Sequence, residues 1–383
     1  MTKILVIGGG SAGIMTAARL RNELTPEEAE ITIVEPSDYH IYQPAFTLVV
    51  FGVESPEKIK RPIEEVIPQG CSLVKDELAS LNTDENYIET KSGQRLDYDY
   101  LILATGARPV LDDIVGLEEN LGKNGIHDFY TFEGALRLRE AIEKFEGGNF
   151  VVVQPPMPFK CPGAPIKMAL MADDYFRRKG IRDKVNITVT STLASVFTRE
   201  PYKSKFDQIF AERGLNAVPK FNPGIIDVER KVIKAWEGTE VPYDIAVVIP
   251  PNEGQTVYED SDIADASNFI RADKHLLVSD SHDNIYPVGD ASGIPASKTA
   301  SGAKKQAEVI TFNLIAKIKG EETAASYSGL VSCPILTGFG KAIFAEFDYE
   351  QSLSPAQESS SSWTFMTQGM MPIYWDYMLT GKI

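Results

Sequence analysis

The feature that most constrains this chain is a run of glycines that follows its first apolar stretch. Residues Ile4 to Ile7 are typical of a buried strand, and residues 8–13 read Gly-Gly-Gly-Ser-Ala-Gly. A helical pattern continues to about residue 24, and a second apolar strand ends at Glu35, 22 positions after the last glycine. A strand, a G-x-G-x-x-G turn, a helix and an acid at this spacing predict a dinucleotide-binding unit.

Each glycine of the pattern has its own expected task. The first permits a tight turn, the second lets a pyrophosphate approach the backbone, and the third lets the helix pack closely on the strand. The acid accepts a hydrogen bond from a ribose hydroxyl, and the start of the helix attracts the phosphates. The predicted cofactor-binding residues here are Gly8, Gly10, Ser11, Ala12, Gly13 and Glu35.

Two later stretches indicate that the dinucleotide is FAD. The apolar strand from residue 100 to 103 ends in Ala-Thr-Gly, and the short strand from residue 285 to 288 ends in Gly-Asp. The first resembles the strand that closes the flavin domain of two-dinucleotide flavoproteins. The second resembles the motif whose aspartate contacts the ribityl or phosphate part of FAD in those proteins. The residues predicted to bind FAD here are Thr105, Gly106, Gly289 and Asp290.

Two neighbouring loops add further candidates. Gln43 and Pro44 follow the acid closely and are expected to lie over the cofactor. His40 in the same loop is interpreted as a hydrogen-bonding scaffold, with a proton-carrying role left open. Lys298, which follows Asp290 near a predicted helix start, is expected beside the flavin, where a positive charge stabilises the reduced anionic form. A solvated lysine is the alternative.

A second strand–loop–helix–strand unit follows, and its loop lacks the glycine pattern. The strand Phe150 to Val153 leads into a proline-rich loop that contains Cys161, and the next helix is predicted at about residues 164–178. Proline has no N–H group to offer a phosphate. NAD(P)H binding is therefore disfavoured, and the second nucleotide site is interpreted as converted into a thiol reaction centre.

The three cysteines have different expected roles. Cys161 lies just before a helix, between Lys160 and Lys167. The positive end of the helix and the ammonium groups are expected to lower its thiol pKa and to give a nucleophilic thiolate. A buried apolar filler is the alternative. Cys71 is interpreted as structural, and Cys333 begins a predicted hairpin whose second arm is residues 341–347.

These elements predict an α/β fold of two Rossmann-like units, of the FAD/NAD(P)-binding type, plus a C-terminal amphipathic region. The FAD-binding domain is predicted to be discontinuous, with residues 1–110 and 245–320. Residues 111–244 form the second unit with Cys161, and residues 321–383 form the C-terminal region with Cys333. Apolar residues between 366 and 379 fall at helical spacing, which predicts a terminal helix that packs on the core or contacts a membrane or quinone.

Composition excludes several classes of function. The chain has 38 Lys and Arg against 54 Asp and Glu, a net charge of −16, which disfavours nucleic acids and electrostatic docking on anionic lipid. Three cysteines without a C-x-x-C pattern indicate neither a disulfide scaffold nor a metal site. No signal peptide and no apolar segment of membrane-spanning length is recognised, so the expected location is the cell membrane, attached peripherally.

Four motifs together resemble the sulfide:quinone oxidoreductase family, in particular the branch that includes the mitochondrial enzymes. They are Phe-Lys-Cys-Pro-Gly-Ala-Pro at 159–165, Ser-Lys-Thr-Ala at 297–300, Ser-Cys-Pro-Ile-Leu-Thr-Gly at 332–338 and Ala-Glu-Phe-Asp-Tyr at 345–349. The resemblance covers nearly the whole chain, and the two cysteine motifs are its most specific part.

The resemblance implies a noncovalently bound FAD with Cys161 and Cys333 as the redox-active pair on one of its faces. Sulfide attacks the disulfide or its sulfur-bridged form, and one cysteine becomes a persulfide. The other passes electrons to FAD, which reduces a membrane quinone. Cys161 is favoured as the flavin-directed thiolate. The cysteine attacked first, the quinone, a small thiol or another sulfane-sulfur acceptor, and homo-oligomer formation are left open.

Three other functions are weighed against this one. They are the flavoprotein subunit of a sulfide dehydrogenase with a cytochrome acceptor, a type II NADH:quinone oxidoreductase, and a non-catalytic flavin redox sensor. The lack of a recognised signal peptide counts against the first. The proline-rich loop and the cysteine pair count against the second, and the retention of both cysteines counts against the third.

Overall fold

Two parallel five-stranded sheets with flanking helices organise the chain, and the computed structural model describes all 383 residues. The predicted α/β class with two Rossmann-like units is confirmed. The largest apolar cluster, of 70 buried residues, runs through both units and the C-terminal region, and two smaller clusters have 13 and 12 residues. The two units therefore share one continuous core, which fixes the loops of one against those of the other.

The first sheet combines strands from distant parts of the chain. Its strand order is Ile285–Pro287, Tyr100–Leu103, Thr2–Ile7, Ala29–Val34 and Ser72–Val74. The central strand is parallel to both of its neighbours, as expected when helices cover a sheet. The strand at residues 285–287 pairs in parallel with the one at 100–103, so the two predicted FAD motifs end at the same edge.

The second sheet is built in the same way around the strand before Cys161. Its strand order is Ile126–His127, Ile245–Val248, Gly148–Val153, Val185–Thr190 and Asn216–Val218. The strand at residues 245–248, which the sequence assigned to the first unit, pairs here with residues 150–153. We therefore propose that the second unit extends to about residue 250 and that the chain returns to the first unit after Pro250 and Pro251.

The C-terminal region consists of a hairpin and a terminal helical segment. The predicted hairpin is confirmed, with antiparallel arms Val331–Gly338 and Lys341–Phe347 and a short third strand, Glu358–Ser359. The terminal segment begins with the α-helix Ser360–Thr364, followed by a π-helical turn, Phe365–Gly369. The short α-helix Met370–Ile373 and a second π-helical turn, Tyr374–Met378, complete it. We call residues 360–380 the C-terminal segment.

The remaining elements connect and cover these sheets. The helices are Ser11–Glu23, Phe46–Val50, Leu117–Asn120, Phe132–Lys144, Ala164–Arg178, Tyr202–Arg213 and Ala300–Lys319. The smaller antiparallel sheets pair Tyr39–Ile41 with Lys60–Pro62, Arg108–Pro109 with Asn252–Glu253, Leu78–Asn82 with Tyr87–Thr90 and Arg95–Asp97, and Pro223–Asp227 with Val232–Ala235 and Glu240–Pro242. None of the helices has both the length and the apolar character that crossing a bilayer requires.

The hairpin is a structural part of the core, which makes its stability testable. Leu336 on its first arm is completely buried, so Leu336→Ala should lower the free energy of unfolding by about 2–5 kcal/mol through lost packing. Urea unfolding followed by far-UV circular dichroism measures this loss. Lys341→Ala, at an exposed position of the same hairpin, should change stability by about 0.5 kcal/mol or less. Equal effects of the two substitutions would contradict this account of the hairpin.

Candidate active site

The glycine-rich loop, residues 8–13, has the geometry of a pyrophosphate cradle. Gly8 has φ +109°, and a Cβ there would lie 2.4 Å from the carbonyl oxygen of Ala104. A Cβ on Gly13 would lie 1.9 Å from the carbonyl oxygen of Gly8, so the helix can approach the strand only without a side chain there. A Cβ on Gly10 would meet no atom within 4 Å. The loop is therefore tight at its two ends and open in its middle, as a bound pyrophosphate requires.

Glu35 holds the loop from the side of the first sheet. Its Oε2 atom accepts a hydrogen bond of 2.6 Å from the amide of Gly9, and its Oε1 atom accepts one of 2.7 Å from the amide of Ser37. A carboxylate oxygen can accept more than one hydrogen bond. The arrangement therefore leaves acceptor capacity for a ribose hydroxyl while it fixes the loop.

The other predicted cofactor residues lie around the same edge of the first sheet. A Cβ on Gly289 would lie 2.8 Å from that of Ala12, so the Gly-Asp motif packs directly against the glycine-rich loop. Gly106 has φ +69° and open space beside it. The hydroxyl of Thr105 pairs with that of Tyr258 at 3.2 Å. These open backbone positions and the acceptor at Glu35 fit FAD.

Lys298 has a structural task at this edge. Its buried ammonium donates hydrogen bonds of 2.8 Å to the carbonyl oxygens of Asp290 and Ser292, and burial lowers its pKa to about 8. The alternative of a solvated lysine is wrong. Lys298 stabilises the loop of the Gly-Asp motif, while a direct contact of its charge with the flavin stays a prediction.

Cys161 and Cys333 come together at this edge from two separate parts of the chain. Each thiol is close enough to shift the pKa of the other, and a Cβ on Gly163, two residues after Cys161, would lie 3.7 Å from the sulfur of Cys333. Cys161 has φ +48°, a conformation that is uncommon for a residue with a side chain, and its amide donates to the carbonyl oxygen of Lys298 at 2.8 Å. This bond ties the cysteine loop of the second unit to the loop of the Gly-Asp motif.

Ser301 fixes the strand of Cys333 from the other side. Its hydroxyl accepts from the amide of Ser332 at 2.9 Å and donates to the carbonyl oxygen of the same residue at 2.7 Å. Ser301 lies in the first turn of the helix that follows Lys298. Both cysteines are thus positioned by residues just after the Gly-Asp motif, Cys161 by the carbonyl oxygen of Lys298 and Cys333 by the hydroxyl of Ser301.

Lys167 is the charged partner of the two thiols. Its side chain is 5% exposed, its Nζ atom lies 3.6 Å from the sulfur of Cys161, and Cys333 is the second thiol close enough to raise its pKa. It forms no ion pair with a carboxylate. Burial lowers the pKa of Lys167, but the two sulfurs outweigh burial and hold the pKa above its usual range. A buried ammonium of this kind requires a thiolate beside it.

The preferred place of that thiolate is Cys333. The neighbouring thiol of Cys161 and the charge of Lys167 lower the pKa of Cys333 to about 6 in spite of burial. The neighbouring Cys333, together with burial, raises the pKa of Cys161 well above its usual value. The expectation of a lowered pKa at Cys161 was therefore wrong in direction. The expected help from Lys160 is also absent, since its amine donates to Gln43 at 3.2 Å.

A cavity of about 360 Å³ reaches the pair from the side of the second sheet. Cys333 lines it, whereas Cys161 does not, and Gly163, Gln154 and Arg199 form other parts of its wall. The side-chain oxygen of Gln154 is buried without a hydrogen-bond partner. This carboxyl edge of a parallel sheet is where a second dinucleotide would bind, and prolines follow Gln154 there in place of glycines.

Sequence reasoning missed two residues as members of the site. Lys167 was considered only as a flanking charge, although a lysine within the apolar run Ile166 to Leu170 is a signal of a buried partner. The hydroxyl of Tyr130 donates to the carbonyl oxygen of Lys160 at 2.8 Å, and burial raises its pKa. No sequence pattern distinguishes Tyr130 from other tyrosines.

Two other candidates lie outside the cysteine pair. Burial raises the pKa of Cys71 to about 11, which makes it a poor nucleophile and supports its structural interpretation. His40 is buried, with Nδ1 2.8 Å from the carbonyl oxygen of Gly9 and Nε2 2.5 Å from the hydroxyl of Tyr374. These two bonds support the interpretation of His40 as a scaffold. No cluster of His, Cys, Asp and Glu side chains could hold a metal ion.

The charge of Lys167 can be tested through the pH dependence of Cys333. In the reduced protein, alkylation of Cys333 by iodoacetamide should rise with pH around a midpoint near 6, since only the thiolate reacts. Lys167→Gln should move the midpoint upward and slow alkylation at pH 7 by roughly tenfold. Peptide mass spectrometry measures the rate of alkylation of each cysteine separately at each pH. Lys160→Gln is the matched control, and an unchanged midpoint in Lys167→Gln would contradict the assignment.

Comparisons with known proteins agree with this geometry. Residues 2–153 match the family described as pyridine nucleotide-disulphide oxidoreductase, and residues 135–250 match the central part of the sulfide dehydrogenase [flavocytochrome c] flavoprotein chain. The crystal structure of sulfide:quinone oxidoreductase from Aquifex aeolicus has a TM-score of 0.88 and 24% identity, covering 100% of this chain and 92% of that one. At this identity the likeness shows the fold.

Curated relatives show the family. The mitochondrial sulfide:quinone oxidoreductase of Dictyostelium discoideum is 36% identical, over 100% of this chain and 87% of its own length. The mitochondrial enzyme of Mus musculus is 34% identical, over 99% of this chain and 86% of its own length. With these matches over the full length, a cysteine pair and a glycine-rich loop in one site, the chain belongs to the sulfide:quinone oxidoreductase family.

Proposed function

We propose that this protein oxidises sulfide at the pair Cys161 and Cys333 and delivers the two electrons, with FAD as cofactor, to a membrane quinone. The observation that carries the proposal is the meeting of two thiols and one buried ammonium beside the loop of Asp290. Membership of the sulfide:quinone oxidoreductase family supports both substrates.

The chain offers FAD a defined set of partners. The glycine-rich loop and the start of the following helix would hold the pyrophosphate, and Glu35 would accept from a ribose hydroxyl. The residues proposed to hold the rest of the cofactor are Gln43, Pro44, Thr105, Gly106, Gly289, Asp290 and Lys298. When bound, FAD supplies a two-electron acceptor that a quinone can reoxidise.

The sulfur chemistry follows from which cysteine meets the cavity. In the oxidised state Cys161 and Cys333 form a disulfide, and HS⁻ from the cavity attacks the sulfur of Cys333. The new S–S bond makes Cys333 a persulfide, and the broken S–S bond leaves its electron pair on Cys161 as a thiolate. Attack is proposed at the sulfur of Cys333 because Cys333 lines the cavity and Cys161 does not. The Cys161 thiolate is the sulfur that would pass this electron pair to FAD, since its backbone is bonded to Lys298, just after the Gly-Asp motif.

Lys167 keeps the charge of the site balanced during this exchange. Its ammonium reaches both sulfurs, so it can stabilise the Cys161 thiolate that leaves and the Cys333 thiolate of the reduced pair. A buried thiolate without a partner would cost several kcal/mol, and a fixed cation removes most of that cost. Lys167 is therefore proposed to lower the barrier for attack by stabilising the leaving sulfur.

A second candidate shares the sulfur chemistry and differs in the electron acceptor. The match of residues 135–250 to a sulfide dehydrogenase flavoprotein chain favours a cytochrome acceptor. The similarity to type II NADH:quinone oxidoreductase from Staphylococcus saprophyticus is 27% over 38% of this chain. The proline-rich loop before Cys161 offers no N–H groups to a second dinucleotide, so NADH is disfavoured.

The pair is tested by anaerobic absorbance of the bound flavin. Sulfide should bleach the flavin and decylubiquinone should restore its absorbance, whereas NADH should leave it unchanged. Cys161→Ser and Cys333→Ser should each slow bleaching by sulfide by about 10³-fold or more, because neither can form the disulfide. Cys71→Ser is the matched control and should bleach at the wild-type rate. Full activity in either variant of the pair, or reoxidation by cytochrome c and not by quinone, would overturn the proposal.

We further propose that the C-terminal segment makes the peripheral membrane contact. Phe365 is 36% exposed and Tyr377 is 49% exposed on this segment. The net charge of −16 disfavours attraction to anionic lipid, so the contact is apolar. The cell membrane as the place of attachment is part of this proposal.

Vesicle binding tests this contact. The pair of substitutions Phe365→Ser and Tyr377→Ser should reduce cosedimentation with uncharged phosphatidylcholine vesicles several-fold, because each removes apolar area that would enter the lipid. Leu276→Ser, at a 47% exposed position in the first unit, serves as the control. Equal binding by the wild type, the double variant and the control variant would refute the proposed surface.

A further inference from the structure

The C-terminal segment reaches the glycine-rich loop through one side chain, Tyr374. This side chain is completely buried, and its hydroxyl lies 2.6 Å from that of Ser11 and 2.5 Å from Nε2 of His40. The opposite nitrogen of His40 lies 2.8 Å from the carbonyl oxygen of Gly9. A hydrogen-bonded chain therefore runs from the start of the first helix through Tyr374 and His40 back to the loop.

The direction of each hydrogen bond in this chain is determined. A carbonyl oxygen can only accept, so Nδ1 of His40 carries a proton. Burial lowers the pKa of His40, which keeps the ring neutral and makes Nε2 an acceptor. Tyr374 therefore donates to His40 and accepts from Ser11. Ser11 therefore uses its hydroxyl proton in the bond to Tyr374. The first helix has no side-chain cap, and its free backbone N–H groups are left for an anion.

Both backbone polar groups of Gly9 are consequently held, its N–H by Glu35 and its C=O by His40. Glu35 accepts from its amide at 2.6 Å, on the side of the first sheet. His40 donates to its carbonyl oxygen, and His40 is in turn oriented by Tyr374. Glu35 lies close in sequence to the loop, but Tyr374 comes from the other end of the chain. The open position at Gly10 lies directly after this doubly held residue.

The same segment also contacts the hairpin that carries Cys333. The rings of Trp363 and Phe339 lie 5.9 Å apart, as do those of Phe365 and Phe344. A second bond to the first helix, from the side-chain amide of Asn22 to the carbonyl oxygen of Thr380 at 2.9 Å, fixes the far end of the segment. The segment thus connects the cysteine hairpin to the phosphate cradle.

We propose that Tyr374 is a positioning residue for FAD: it holds the glycine-rich loop in its phosphate-binding conformation from the C-terminal segment. The inference rests on the proposed placement of FAD along that loop. Without the hydroxyl of Tyr374, Nε2 of His40 and the hydroxyl of Ser11 lose their partner inside the core, and the loop is held from one side only.

The test compares Tyr374→Phe with Tyr377→Phe in the purified holoenzyme. Tyr377 lies on the same segment, is 49% exposed and forms no side-chain hydrogen bond, so it is a matched control. FAD released after dilution is followed by flavin fluorescence. Tyr374→Phe should release FAD about tenfold faster than wild type, the factor that corresponds to one buried hydrogen bond of about 1.4 kcal/mol. The control should release it at the wild-type rate.

A phosphorus signal separates positioning from a general loss of stability. The ³¹P resonances of the FAD pyrophosphate should shift in Tyr374→Phe and stay in place in Tyr377→Phe. If Tyr374→Phe does not fold, His40→Phe interrupts the same series of hydrogen bonds. It should show the same faster release of FAD and the same shift of the ³¹P resonances. A release rate within twofold of wild type, or unchanged ³¹P resonances, would overturn the inference. Sulfide bleaching of the wild-type flavin tests the cysteine mechanism separately, so a failure of that mechanism is distinct from a failure here.

Discussion

The buried ammonium of Lys167 is the constraint on which the rest of the site depends. A charge inside a protein costs several kcal/mol unless an opposite charge lies beside it, and the partners of Lys167 are the two sulfurs of Cys161 and Cys333. The reduced site must therefore carry a thiolate at neutral pH. A thiolate, not a thiol, is the form in which a cysteine of the pair can take part in disulfide exchange. The cation makes the reactive form of the pair the stable one.

The architecture that delivers this ammonium is a modified dinucleotide fold. In the second unit the strand, the helix and the parallel sheet are retained, while prolines and a thiol occupy the loop where phosphates would bind. Lys167 lies on the helix after that loop, so the same loop-to-helix geometry that would present N–H groups to a phosphate presents a cysteine and a lysine. The hairpin then adds Cys333 from the outside and leaves a cavity that reaches it.

The first unit keeps its phosphate cradle, and the end of the chain supports it. Gly9 is fixed by Glu35 on one side and by His40 and Tyr374 on the other. Because the C-terminal segment packs on the hairpin as well, the two halves of the site are linked through one element. A common apolar cluster of 70 buried residues packs the two units and this segment against one another.

The sequence by itself determined the fold class, because a glycine turn or an apolar strand is read within about ten residues. It also predicted the FAD cradle, and its resemblance to a known family implied the pair of cysteines. It could not determine the sheet of the strand at residues 245–248, because an apolar strand pairs equally well in either parallel sheet. Only the tertiary structure decided that Lys167 serves both thiols, that the lowered pKa belongs to Cys333, and that Tyr374 meets the glycine-rich loop. Each of these depends on side chains far apart in the chain, whose charges and hydrogen bonds act only after folding has removed the water between them.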